Sequence, residues 1–340
     1  MNGYHLDYVQ WDVTSACNLN CAHCREKRTI SNPQYDLNAE ECREAIDQIV
    51  DFNTHTLSLA GGEPLLGKHI WDILKYATGK FKRLVLSTNG TLITPDIAIK
   101  LAKYLTNVQV SVDGPDSETH DYVRGAGTFY KTMRAIEALK KVDLRVDIRM
   151  TICKETMART HEFIDLTKRL ELSGAYMRRV IPSGNATPGG KITRLSSEEL
   201  KHVLGDAIAY GKSVGMHVAS ADYFCQISFN AEARLKAERT QKLNGSVIGG
   251  CAIGVNSFYL MQDGTISYCP YLPIYCGSLR ENSLKYIWEH SEMFKVARAL
   301  RYNLKGKCGK CNYLYACGGC RAYAYAETGD ILAEDSGCWF

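Results

Sequence analysis

Three cysteines near the start of the chain, Cys17, Cys21 and Cys24, have a spacing suited to iron-sulfur chemistry. Three residues separate the first pair and two separate the second pair. A cuboidal four-iron cluster normally takes four cysteine thiolates, so a loop with three leaves one iron free to bind a cofactor or a substrate. A zinc loop is the alternative, but structural zinc closes its shell with a fourth ligand, and His23, adjacent to Cys24, would strain that geometry.

Eight of the 14 cysteines lie in the C-terminal part of the chain. They are Cys251, Cys269, Cys276, Cys308, Cys311, Cys317, Cys320 and Cys338. The short spacings within residues 308–320 are typical of metal-binding segments, and a zinc ribbon of the four cysteines found there is one interpretation. The isolated Cys42 and Cys153 are interpreted as buried packing residues.

Composition narrows the range of partners. The 340 residues include 41 basic and 37 acidic ones, a formal charge of +4 without long runs of one sign, so no nucleic-acid partner is expected. No apolar window is long enough to cross a bilayer and the N-terminus has no signal peptide, so we expect a cytoplasmic protein with no membrane partner. Because cytosol is reducing, the cysteines are expected to bind metal or to do redox chemistry.

The elements that must position these cysteines alternate between short apolar runs and longer segments of helical period. Strands are predicted at residues 9–14, 56–60, 84–87, 108–113, 145–151 and 176–181, and helices at 38–52, 68–77, 95–105, 128–139, 156–170 and 196–214. Ser196 and Glu199 predict a capping box at the last helix. Six βα units are too few for a closed barrel, so the prediction is an α/β fold with a partial, TIM-like (β/α)6 barrel.

The pattern changes after residue 214. A polar helix is predicted at 231–242, and a turn at 262–265 lies within a segment rich in cysteine, glycine and tyrosine. We therefore predict two domains, a barrel with its bridging helix at 1–240 and a small cysteine-rich α+β domain at 241–340.

Polar motifs follow the predicted strands, where the carboxyl ends face the mouth of a barrel. Gly61-Gly62-Glu63-Pro64 ends the second strand, and its glycines allow a ligand to approach the backbone closely. Asn89 follows the third strand, and Ser111 and Asp113 end the fourth. Ordinary turns and helix caps are the alternative for each motif.

The cysteine loop after the first strand and the Gly-Gly-Glu-Pro motif after the second together resemble radical S-adenosylmethionine (SAM) enzymes. The resemblance implies that Cys17, Cys21 and Cys24 hold a [4Fe-4S] cluster whose free iron chelates SAM, and that one electron cleaves SAM to a 5'-deoxyadenosyl radical. It implies that SAM is bound by Gly61, Gly62, Glu63, Pro64, Asn89, Ser111, Asp113, Arg124 and Arg149, with Glu63 at the amino group and Ser111 and Asp113 at the ribose. For Arg124 a surface salt bridge is an equal alternative. One of Arg178 and Arg179 is also expected to point into the mouth.

The C-terminal cysteines resemble the SPASM domain, an extension that houses auxiliary iron-sulfur clusters in radical SAM enzymes. Carried over by position, an outer cluster is held by Cys308, Cys311, Cys317 and Cys338, and an inner cluster by Cys251, Cys269 and Cys320. The inner cluster lacks a certain fourth ligand, for which Cys276 and an open iron are the two candidates.

The combined resemblance implies hydrogen-atom abstraction from a substrate, for which a ribosomally made peptide or a protein side chain is our first expectation. The outcome would be an oxidative modification such as a crosslink or dehydrogenation. A porphyrinoid side-chain decarboxylase or oxidase, of haem or haem d1 maturation, is the alternative, and a non-enzymatic electron carrier or zinc scaffold is an alternative of another class. Expected partners are a peptide or small-molecule substrate, a flavodoxin- or ferredoxin-type reductant and a separate peptide-recognition protein.

Overall fold

The computed structural model describes residues 4–25, 35–243 and 249–340. The strands are β1 (Tyr8–Asp12), β2 (Thr56–Ala60), β3 (Arg83–Thr88), β4 (Asn107–Ser111), β5 (Arg145–Ile152), β6 (Ala175–Arg179), β7 (Val218–Ser220), β8 (Ser257–Leu260), β9 (Thr265–Ser267) and β10 (Tyr275–Ser278). The helices are α1 (Ala39–Val50), α2 (Ile70–Ala77), α3 (Pro95–Ala102), α4 (Ser117–Arg124), α5 (Thr128–Lys141), α6 (Thr160–Arg169), α7 (Ser197–Ser213), α8 (Tyr223–Phe229), α9 (Ala231–Lys242), α10 (Leu284–His290), α11 (Glu292–Asn303), α12 (Gly306–Gly309) and α13 (Arg321–Thr328).

These strands form one open sheet in the order β10-β9-β8-β1-β2-β3-β4-β5-β6-β7. Strands β1 to β7 run parallel to their neighbours, and helices connect most of them. Every residue of β2 is buried, as expected for a parallel strand covered on both faces. The predicted α/β fold with a partial barrel is therefore confirmed. The sequence predicts neither β7, which has only 3 residues, nor helix α4.

The cysteine-rich segment extends the same sheet. Strand β8 pairs in parallel with β1, while β9 and β10 continue from it in antiparallel fashion. The hydroxyl of Tyr259 on β8 and the guanidinium of Arg25 both contact the carboxylate of Asp12 at the end of β1. The two predicted domains thus share a sheet, and the boundary near residue 240 stays a prediction.

Helix starts follow local sequence signals. The predicted capping box of Ser196 and Glu199 is formed at α7, and Asn38 with Glu41 forms another at α1. Each box satisfies backbone N–H groups that have no partner within the helix. In the described parts of the chain, no helix combines the length and the apolar composition that crossing a membrane requires.

Candidate functional site

A cleft lies at the carboxyl ends of β1 to β6, where the sequence predicts the chemistry. The predicted residues that line it are Cys17, Cys21, Cys24, Gly61, Gly62, Asn89, Ser111, Arg124 and Arg149. Tyr271, from the C-terminal part of the chain, completes the wall. The fold therefore brings the three-cysteine loop and most of the strand-end motifs to one cavity.

Arg124 connects the cysteine loop to the barrel. Its Nη1 lies 3.8 Å from the Sγ of Cys21, and its Nε lies 2.6 Å from a carboxylate oxygen of Asp113. Burial raises the pKa of Cys21 to about 11, and the Arg124 charge opposes that rise. A guanidinium beside this sulfur favours the thiolate, which is the form that binds metal.

Asp113 is fully buried and does not line the cleft. One carboxylate oxygen accepts the N–H of Thr151 at 2.7 Å, and the other lies 2.6 Å from Nε2 of His23 and also pairs with Arg124. Burial alone would raise the pKa of this carboxyl, but Arg124 and His23 hold it well below its usual range. The structure thus places Asp113 behind the cleft wall, where its oxygens contact His23, Arg124 and Thr151, and the contact with the ribose stays a prediction.

Glu63 is also buried behind the cleft wall. Its carboxylate accepts the hydroxyl of Thr88 at 2.7 Å and the N–H of Asn89 at 2.9 Å, and so joins the ends of β2 and β3. The backbone of Gly61 and Gly62, rather than the Glu63 side chain or Pro64, faces the cavity. A Cβ on Gly61 would lie 2.5 Å from the carbonyl oxygen of Thr14, so the close approach requires glycine.

Two asparagines that the sequence analysis missed hold the cysteine loop. Asn18 accepts a hydrogen bond from the side chain of Asn89 at 2.9 Å. Asn185 donates its backbone N–H to the carbonyl of Cys24 and its side-chain amide to the carbonyl of Cys21. Sequence gives no signal for Asn185, because it lies more than 150 residues from the loop that it contacts.

Arg149 and Arg178, on the neighbouring strands β5 and β6, both line the cleft. The Arg178 guanidinium lies 5.1 Å from the centre of the Tyr271 ring. Burial lowers the pKa of Arg149, and the positive charge of Arg178 acts in the same direction. Tyr271 raises the pKa of Arg178, and the charge of Asp222 acts in the same direction. Among the described residues neither Arg149 nor Arg178 forms an ion pair with a carboxylate, so this wall of the cleft is suited to an anion.

The outer group of predicted ligands meets at a second, smaller cavity. Cys308, Cys311, Cys317 and Cys338 all line it. Each sulfur accepts a backbone N–H, from Asp335, Tyr313, Gly319 and Phe340 respectively, at 3.3 to 3.5 Å. Hydrogen bonds of this kind support thiolates that bind an iron-sulfur cluster. The structure thus groups Cys338, rather than Cys320, with the other three, which is the predicted cluster arrangement and differs from the zinc ribbon.

Two buried arginines surround this group without a carboxylate partner in the described ranges. Arg321 lies 3.7 Å from the sulfur of Cys308 and otherwise donates to backbone carbonyls. Arg301 donates to the carbonyls of Gly249, Cys251 and Cys317, and the Nε atoms of both arginines have no hydrogen-bond partner. Buried cations require an anionic neighbour, and a thiolate-bound iron-sulfur cluster fits that requirement.

The inner group also assembles, except for one member. Burial raises the pKa of Cys269, and the neighbouring Cys320 and Cys251 act in the same direction. Burial raises the pKa of Cys276 to about 12, while a hydrogen bond with Ser291 and the charge of Arg298 oppose it. Cys251, Cys269 and Cys320 are thus close enough for their charges to interact, whereas Cys276 lies against α11, and the ligand set of the inner cluster stays a prediction.

Comparison with known proteins agrees with this architecture. The model of the Radical SAM superfamily matches residues 11–167, and that of the SPASM iron-sulfur cluster-binding domain matches residues 251–312. An AdoMet-dependent heme synthase of Methanosarcina barkeri is 34% identical, with 97% of this chain and 95% of that protein covered. Mycofactocin maturase MftC of Mycolicibacterium smegmatis is 29% identical, with 97% and 82% covered. Streptococcus suis SuiB bound to S-adenosylmethionine has the same fold, at a TM-score of 0.79 and 17% identity over 99% of this chain and 78% of that one.

Proposed function

This chain belongs to the radical SAM superfamily and carries a SPASM domain, and we propose that it oxidatively decarboxylates a side chain of an iron porphyrin. It is an enzyme whose cofactors are SAM, a [4Fe-4S] cluster and auxiliary clusters. We prefer a porphyrin to a peptide as the substrate because a heme synthase matches this chain nearly end to end.

The proposal rests on two arginines of the cleft that form no ion pair with a carboxylate of the described residues. Arg149 and Arg178 lie on adjacent strands, and the register places Arg178 opposite Thr151, two residues beyond Arg149. A pair of guanidinium groups that have no carboxylate ion pair in the described ranges is suited to a carboxylate, which each can bind through hydrogen bonds. Porphyrin precursors of haem carry several propionate side chains, so one propionate can be fixed by this pair while its carbon atoms face the cysteine loop.

The proposed reaction converts a propionate side chain of the porphyrin to a vinyl group. The cluster and SAM, when bound, supply a 5'-deoxyadenosyl radical that takes one hydrogen atom from the propionate carbon next to the ring. The side chain then loses carbon dioxide and one electron and becomes a vinyl group. The auxiliary clusters, when bound, would accept this electron, so that the side chain undergoes a net two-electron oxidation.

The chain's own residues bind, orient and shield the substrate. Arg149 and Arg178 hold the carboxylate until it leaves as carbon dioxide. Tyr271 packs beside Arg178 and comes from the segment two residues after Cys269, so the substrate-binding wall adjoins the inner cluster group. This adjacency is suited to electron transfer from the substrate to that cluster.

The test is anaerobic turnover of the reconstituted enzyme with SAM, dithionite and iron coproporphyrin III. We expect mass spectrometry to detect products that have lost carboxyl groups, with 5'-deoxyadenosine formed in step. Formation of 5'-deoxyadenosine with no change in the porphyrin would overturn the proposal.

A peptide substrate is the second candidate, and the mycofactocin maturase relative favours it. A peptide with a free C-terminal carboxylate would also suit the arginine pair. A small precursor peptide encoded beside this chain would then change mass on incubation with the enzyme and SAM. In that case a separate recognition protein for the peptide is expected.

A further inference from the structure

The last residue of β6, Arg179, reaches across to the C-terminal segment. Its Nη1 and Nη2 donate to the two carboxylate oxygens of Asp335 at 3.0 and 2.6 Å. Its Nε lies 2.8 Å from Asp222, and its guanidinium lies 4.2 Å from the centre of the Tyr323 ring. Although Arg178 and Arg179 are adjacent, Arg179 is thus held by two carboxylates and is buried.

Asp335 is in turn bonded to cysteines of both auxiliary groups. Its carboxylate accepts the N–H of Cys320 at 2.9 Å, and its own N–H points at the sulfur of Cys308 at 3.3 Å. Cys320 belongs to the inner group and Cys308 to the outer one. A single fully buried residue therefore connects both groups to the last residue of a barrel strand, through its carboxylate to Cys320 and Arg179 and through its backbone N–H to Cys308.

Glycines allow the backbone to pass close to the side chains of Arg179 and Asp335. A Cβ on Gly337 would lie 2.1 Å from Nη1 of Arg179, so only glycine lets the segment that leads to Cys338 pass the guanidinium. A Cβ on Gly319, next to Cys320, would lie 2.8 Å from the Cβ of Asp335. The backbone on both sides of the carboxylate is therefore packed against the pair.

We propose that Arg179 and Asp335 are positioning residues for the auxiliary clusters. They orient the ligands Cys320 and Cys308 relative to the barrel and determine the charge around both clusters. The inference does not depend on the identity of the substrate. A bidentate, buried pair has one favoured geometry, so it fixes distance and orientation better than a surface ion pair does.

The experiment uses the full chain in which Cys17, Cys21 and Cys24 are changed to Ala, so that bound iron reports the auxiliary clusters alone. Into this background we place Asp335→Asn and, separately, Arg179→Gln. Removal of a negative charge near a cluster raises its reduction potential, and removal of a positive charge lowers it. We expect shifts of opposite sign in redox titrations followed by electron paramagnetic resonance, with reduced iron content in both variants.

Arg194→Gln is the matched control. Arg194 also reaches the C-terminal part of the chain, where it pairs with Glu327 and lies 5.8 Å from the Tyr323 ring centre, but it bonds to no cysteine. It should leave iron content and potentials as in the background. If Arg179→Gln does not fold, Asp335→Asn alone tests the proposal, and a rise in its reduction potential is expected. Unchanged potentials, or shifts of one sign in all three variants, would overturn the proposal.

Discussion

At the scale of single residues, buried charge separates the roles of side chains that look alike in the sequence. Arg124 and Arg179 are each paired with buried carboxylates, and both hold elements together. All four arginines line the cleft, but within the described ranges Arg149 and Arg178 form no ion pair with a carboxylate. A free guanidinium in a cleft is available for a ligand, whereas a paired one serves the fold.

Arg149→Gln should lower kcat/KM for a carboxylated porphyrin by about 10- to 100-fold, because a charge-assisted hydrogen bond to the substrate is lost. Formation of 5'-deoxyadenosine without substrate should stay within about twofold. Arg145→Gln, at the other end of β5 and outside the cleft, is the control. If Arg149→Gln instead abolishes 5'-deoxyadenosine formation, Arg149 serves SAM, as the sequence analysis expected.

His120 predicts a pH dependence of stability. It is fully buried, with Nδ1 accepting the N–H of Asp113, and burial together with Arg124 lowers its pKa from 6.5 to about 4. Below pH 6.5 the unfolded chain binds a proton that the folded protein resists, so the free energy of unfolding falls as pH drops towards 4. The loss is roughly 2 kcal/mol by pH 5.

Urea unfolding at pH 7 and pH 5 measures this loss. His120→Asn keeps an acceptor for the N–H of Asp113 but cannot titrate, so its two unfolding curves should lie closer together than those of the unmodified protein. The exposed His202→Asn is the control and should keep the full difference. An equal pH dependence in all three proteins would show that His120 is not the group responsible.

At the scale of elements, short-range signals fix where helices begin, and long-range pairs fix how strands meet. The capping boxes of α1 and α7 are complete within four residues. By contrast, the ends of β2 and β3 are joined by Glu63, whose partners lie 25 and 26 residues away. Local motifs therefore define each element, while buried polar contacts set the relative position of their ends.

Ser196→Ala should lower the free energy of unfolding by about 1 kcal/mol, because the N–H of Glu199 loses its acceptor at the start of α7. Denaturant unfolding monitored by circular dichroism measures this. Ser197→Ala, one residue into the helix, is the matched control and should change stability by less. Equal losses in the two variants would contradict a capping role.

At the scale of the whole molecule, one sheet carries three groups of cysteines. The cysteine loop follows β1, and β8, which pairs with β1, lies between Cys251 and the other cysteines of the inner and outer groups. The pair of Arg179 and Asp335 connects the far side of the barrel to the same segment. The cleft is therefore enclosed by both parts of the chain, and Tyr271 is the point where the C-terminal part enters its wall.

Changing Cys17, Cys21 and Cys24 to Ala should abolish reductive SAM cleavage while iron in the auxiliary clusters remains. The physical reason is that the open iron that binds SAM belongs to the three-thiolate loop alone. Iron and sulfide analysis measures the auxiliary clusters, and a 5'-deoxyadenosine assay measures SAM cleavage. Cys42 is a buried thiol of α1, and the control variant Cys42→Ala should keep SAM cleavage and the iron of the auxiliary clusters. SAM cleavage by the triple variant would refute the assignment.

Radical SAM chemistry could be predicted from the sequence alone. A cluster loop needs its thiolates within a few residues of one another, and strand-end motifs follow from chain order, so local spacing was enough to predict the radical SAM and SPASM resemblance and the partial barrel. Neither result depends on knowing which distant residues touch.

Which of the buried charged side chains have an ion-pair partner could be seen only in the folded structure. Glu63 and Asp113 lie behind the cleft wall. Arg179 pairs with Asp335 across 156 residues, while its neighbour Arg178 lies beside Tyr271. The availability of a buried charge depends on its partner, and a partner so far along the chain leaves no trace in local spacing.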